Sequence, residues 1–110
     1  MAQLFNGAAI MPNGQVGNRL CFPNELDYAL IPNASQVNLN PGAQPFSVDA
    51  WIKVPNSTAG PRMLFEKRVL VSSSPYKTNG YAVYLNGMQL FLELGIGIST
   101  QIIPGPVVTP

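Results

Sequence analysis

Apolar and polar residues alternate most regularly between Gly80 and Leu94, and the alternation predicts a β-hairpin. Gly80-Tyr-Ala-Val-Tyr-Leu85 is rich in aromatic and β-branched residues, the composition of a strand. Asn86-Gly87 supplies two residues that tolerate positive φ, as the central pair of a type I′ turn requires. Met88-Gln-Leu-Phe-Leu-Glu-Leu94 then returns. A two-residue loop fixes register, so Leu85 is expected opposite Met88, Val83 opposite Leu90 and Tyr81 opposite Leu92. These six and Leu94 make an apolar face. Ala82, Tyr84, Gln89, Phe91 and Glu93 make the other.

The same period runs through Phe46–Val54. Phe46, Val48, Ala50, Ile52 and Val54 fall on one side, with Ser47, Asp49, Trp51 and Lys53 on the other. That is the signature of a half-buried antiparallel strand. Shorter strands are predicted at Arg19–Phe22 and Tyr28–Ile31, each closed by a proline, and an edge strand at Leu4–Ile10. Val37 and Leu39 alternate within a polar stretch, 33–40, read as a short strand or crossing segment. Arg62–Val71 reads as a strand in which Met63, Phe65 and Lys67 oppose Leu64, Glu66 and Arg68. Residues 41–45, 55–61 and 72–79 read as loops, Gly95–Ile103 as one more strand and Pro104-Gly-Pro106 as a turn. No capped stretch of helical period occurs.

Composition narrows the picture. A chain of 110 residues reads as one domain, 1–110, with a single core. Eleven prolines and ten glycines between short apolar runs point to an all-β sandwich or barrel. Charged residues are only 10%, so either a surface is covered by a partner or it is simply polar and uncharged. Six scattered basic residues and a net charge of +1 leave no electrostatic footprint for nucleic acid or an anionic membrane. The N-terminus lacks the basic and apolar regions of a secretory signal, and no apolar run reaches the length of a membrane span. Cys21 is the one cysteine, which rules out an intrachain disulfide; between Leu20 and Phe22 it reads as a small buried hydrophobe, with a reactive thiol as the alternative.

The order Leu20-Cys-Phe22, Leu26-Asp-Tyr-Ala-Leu-Ile-Pro32, Phe46-Ser-Val-Asp-Ala-Trp-Ile-Lys53, Phe65-Glu-Lys67 and Gly80-Tyr-Ala-Val-Tyr-Leu85 resembles the N-terminal half of a laminin-G-like domain. Such domains belong to the concanavalin A-like lectin/glucanase superfamily. The resemblance covers about Gly17 to Leu94 and implies an antiparallel jelly-roll β-sandwich. It also implies an extracellular setting and recognition of glycan or protein, in relatives often with Ca²⁺. The family's later "W-H-x-V-A", "Y-x-D-G" and "G-x-I-D-E" strands have no counterpart, so the chain is expected to be a truncated jelly roll. Phe22-Pro23-Asn24-Glu25 replaces a glycine-containing turn of the relatives, which argues against a metal role there.

Leaving the apolar faces of such a partial sandwich open forgoes about 1.5–3 kcal/mol per large side chain. Self-association as an isologous dimer is therefore expected. Without histidine, neither a Ser-His-Asp nor a Cys-His unit can form. Of the five carboxylates, Glu25, Asp27, Asp49, Glu66 and Glu93, the pair considered for glycoside hydrolysis is Asp49 with Glu93, read as two surface acids. The chain is expected to be a non-enzyme without a cofactor. Asn24, Glu25 and Asp27 form an oxygen-rich turn, better explained as an Asx motif than as a cation site. The five candidate ligand-binding residues are Trp51, Asp49, Tyr84, Gln89 and Phe91, with Lys53 and Glu93 beside them on the same expected face, where aromatic planes and polar groups would suit a glycan; the 55–61 and 72–79 loops are the alternative binding place. The competing reading buries these aromatics against a loop or partner chain, in a structural subunit with no small ligand.

Overall fold

The computed structural model describes residues 3–24, 26–31, 47–54 and 60–109. The chain divides into two compact units, one within residues 1–38 and one within 39–110. The sheets are antiparallel throughout, and no helix occurs among the described residues. The all-β expectation holds. The proposed strand at 33–40, the loops at 41–45 and 55–59, Phe46 and Glu25 lie outside the described residues.

The first unit nests one hairpin-like pair inside another. β1 (Gln3–Phe5) pairs with β4 (Tyr28–Leu30), and β2 (Ala9–Met11) pairs with β3 (Arg19–Cys21). The single edge strand expected at Leu4–Ile10 is therefore two strands. Asn6, at φ 59°, turns the chain between them. Asp27 holds that turn: Gly7 N–H donates to its Oδ1 (2.8 Å), and Asn24 donates to its Oδ2 from the backbone (2.7 Å) and side chain (3.3 Å). Asn6 Nδ2 also donates to the Leu26 carbonyl. Both Asp27 oxygens thus accept from backbone and side-chain N–H groups on either side of the turn, a long-range clamp rather than the Asx turn expected from the sequence. Phe5 stacks on Tyr28 across the β1–β4 pair, centroids 4.6 Å apart.

The second unit is a four-stranded sheet in the order β5 (Pro61–Ser73), β6 (Tyr76–Asn86), β7 (Gln89–Ile96), β8 (Thr100–Val107). The central hairpin is where the sequence put it, but its turn sits one residue later. Leu85 pairs with Leu90, Val83 with Leu92 and Tyr81 with Leu94. Gly87 has φ 61° and Met88 follows, so glycine takes the first central position, as in a type II′ turn. The pairing shifts by two residues, which preserves parity, so both faces keep their expected members except Met88, now in the turn.

Three further expectations change. The 72–79 loop is a hairpin: Ser73 pairs with Tyr76 around a cis Ser74–Pro75 bond, the proline position of a type VI turn. Pro104-Gly-Pro106 is not a turn but part of β8, an outer strand, the place in a sheet where proline is tolerated because only one side of the strand is paired. Phe46–Val54 is not a strand as far as it is described; residues 47–54 join no ladder. Their alternation nevertheless has a purpose. Val48, Ala50 and Ile52 line a groove of about 170 Å³ with Leu64, Phe65, Val83 and Leu90, so this segment runs along the sheet's apolar face.

Two bulges, at Leu64 and Val71, interrupt the β5–β6 register. The first adds one residue, so Met63 and Phe65 lie on opposite faces rather than the same one. The core centres on β6, the strand with neighbours on both sides: Leu85 is 1% exposed, and Tyr81 is also buried.

Candidate functional site

The face opposite the groove is built in transverse rows, because directly opposed residues of an antiparallel ladder share a face. Met63, Tyr84, Phe91 and Pro104 form one row across all four strands. Glu66, Ala82, Glu93 and Ile102 form the next. Arg68, Gly80, Gly95 and Thr100 form the third. Small residues therefore occupy the β6 positions between Glu66 and Glu93 and between Arg68 and Gly95. That gap lets a side chain of β5 cross β6 and reach β7, two strand spacings or about 9.5 Å away.

Arg68 makes that crossing. Its Nη1 donates to Glu93 Oε2 (2.6 Å) and to Tyr76 OH (3.1 Å), and its Nε donates to Glu66 Oε1 (2.9 Å). Tyr76 OH lies 3.2 Å from both Glu93 oxygens, and Thr78 Oγ1 donates to Oε2 at 3.2 Å. Thr78 N–H in turn donates to Thr100 Oγ1 (2.7 Å). Glu93 is 3% exposed and its carboxylate is saturated with donors, the condition under which a buried charge is tolerable. Among the described residues no buried side-chain nitrogen or oxygen lacks a partner.

The electrostatics follow from this geometry. Burial works against the charge on Arg68, but hydrogen bonds to Glu93 and Glu66, with their negative charges, outweigh it and hold the guanidinium above its ordinary range. Burial, aided by the Glu93 charge, raises the Tyr76 phenol above its ordinary 10.0, against a smaller opposing pull from Arg68. In the unfolded chain the phenol ionises first. Its contribution to stability is thus complete below about pH 10 and lost as pH rises through the folded-state value. Urea unfolding followed from about pH 8 to 11.5 should show wild type losing stability more steeply than Tyr76→Phe at the alkaline end. Parallel curves would remove the phenol from the cluster's energetics.

Of the five residues singled out from sequence, the structure brings three together. Tyr84 and Phe91 stack with centroids 5.5 Å apart and planes 15° from parallel. Gln89 shares their face, and its Nε2 donates to the Gly105 carbonyl at 3.1 Å, leaving its amide oxygen as an acceptor. Asp49 and Trp51 lie on the segment that runs along the other face, with Trp51 78% exposed. Asp49 and Glu93 are consequently on opposite sides of the sheet and do not form a carboxylate pair. Sequence reasoning missed Arg68, Tyr76 and Thr78. The available signal was Gly80 two residues before Ala82 on one strand, which opens a lane for long side chains to cross.

Among the described residues no three Cys, Asp or Glu side chains gather into a metal-holding group. No family model, curated protein or solved structure matches the chain.

Proposed function

We propose that the chain is a non-catalytic binding module of the laminin-G-like, concanavalin A-like jelly-roll type that recognises carbohydrate or protein on one face of its four-stranded sheet. The observation that carries this reading is the Met63–Tyr84–Phe91–Pro104 row, an aromatic pair at the centre of an apolar band. Gln89 stands at its border. Aromatic and apolar surface with a few fixed polar groups is the general composition of a small-ligand site. Glu93 adds no catalysis to it, because its lone pairs are already engaged by Arg68, Tyr76 and Thr78. With Trp51 on the other side of the sheet, indole fluorescence would be a poor reporter. A glycan array probed with wild type and with Tyr84→Ala/Phe91→Ala is the test. Binding that the double variant loses at least tenfold supports carbohydrate recognition; an array silent for wild type removes it.

A second reading, a structural subunit that self-associates as a dimer, is favoured by a separate observation. Among the described residues the buried hydrophobic side chains are Tyr81, Ala82 and Leu85, whereas Val69, Leu70, Val71, Ile96 and Ile98 are exposed. Apolar surface on that scale in so small a sheet is what a second polypeptide would cover. Sedimentation of the whole chain at micromolar concentration tests it: a dimer supports the subunit, a monomer removes it.

A further inference from the structure

The two outer strands of the sheet are unlike. β8 carries Pro104 and Pro106, which cannot donate to a further ladder. β5 runs for 13 residues, about twice the usual strand length, with no proline after its first position. Among the described residues no strand lies beyond it. Its exposed apolar residues include Phe65, Val69 and Leu70, with Val69 68% exposed. Between the bulges at Leu64 and Val71, the stretch Phe65–Leu70 keeps a regular register with β6.

We propose that two copies of this chain join β5 edge to edge, antiparallel about a two-fold axis at Lys67, so that Phe65–Val69 of each copy pairs with Phe65–Val69 of the other. This rests on the self-associating reading and says which surface performs it. Two features select the register. Lys67 is the midpoint of Pro61–Ser73, so this pairing overlaps the strands over their whole length. It places Phe65 opposite Val69, and both belong to the apolar face, so that face continues across the axis without inversion. Its one like-charged contact, Lys67 opposite Lys67, lies on the axis. The lysine ammonium groups can splay on their four-carbon stems.

The pairing is isologous and closes on itself, giving a dimer rather than a filament. It predicts a specific proximity. Opposed residues in an antiparallel pair have Cα atoms about 4.5–5.5 Å apart, inside the range a disulfide spans. In a Cys21→Ser background, Lys67→Cys treated with diamide should form a covalent dimer on a non-reducing gel. Ser73→Cys should not, since its two copies would lie roughly 40 Å apart. Val69→Lys, which changes an exposed side chain and spares the fold, should weaken dimerisation at least tenfold by sedimentation. If wild type sediments as a dimer but Lys67→Cys stays unlinked, or both cysteine variants link equally, the β5 pairing falls and the self-associating reading stands. A wild-type monomer overturns both.

Discussion

Replacing Arg68 with methionine is expected to destabilise the second unit by about 3 kcal/mol, the lower part of the range for breaking a buried ion pair. The reason lies less in the lost attraction than in what remains. Glu93 is almost fully enclosed and would keep only Tyr76 and Thr78 as donors for a carboxylate that needs its strongest one. Arg68 itself retains some solvent access, with 21% of its side chain exposed, which keeps the figure from the top of the range. Arg68→Met/Glu93→Leu should recover most of the loss, because removing both partners leaves no unpaired charge. Urea midpoints of the three variants decide it. Equal costs for the single and double changes would show that packing, not charge compensation, is what Arg68 supplies.

How much of this could be seen beforehand depended on whether the relevant signal was local. Alternation through Gly80–Leu94 identified both faces of the central hairpin, and parity protected that assignment even though Gly87 moved the turn by one position. The face assignment of Met63 failed for the complementary reason. One extra residue at Leu64 reverses parity, and nothing in Arg62-Met-Leu-Phe65 marks the bulge. Phe46–Val54 shows the limit of period two as evidence. Val48, Ala50 and Ile52 do line an apolar groove, but alternation reports a buried side and is silent on whether a ladder partner exists. The prolines of β8 misled because their meaning depends on strand order: fatal in a central strand, tolerated in an outer one. The candidate site suffered most. The polarity pattern groups Trp51 with Phe91, although the Trp51 segment runs along the sheet face opposite the one that carries Phe91, and only the pairing of β5 through β8 separates them.

Gly80→Ala is expected to be among the most damaging single-methyl changes in the second unit. Gly80 sits at φ 120°, a conformation that side chains disfavour, but that alone is not decisive. A Cβ there would lie 2.0 Å from the Lys67 carbonyl oxygen and 2.7 Å from the Arg68 Cα. Both atoms belong to the backbone of β5, so no rotamer change relieves the collision; β5 must part from β6, which is the longest pairing in the sheet. Displacing β5 also withdraws Arg68 from Glu93, adding an electrostatic loss to the steric one. A cost above about 4 kcal/mol, the exceptional end for point changes, follows. Gly87→Ala provides the contrast: φ is 61°, also positive, but nothing lies within 4 Å of the added methyl. It should cost about 1 kcal/mol, the penalty for the left-handed conformation by itself. Urea unfolding of the two variants therefore isolates the collision from the backbone preference. If their midpoints agree within the error of extrapolation, β5 does not press on Gly80 as closely as its carbonyl position requires, and the lane across β6 must be held open by something else.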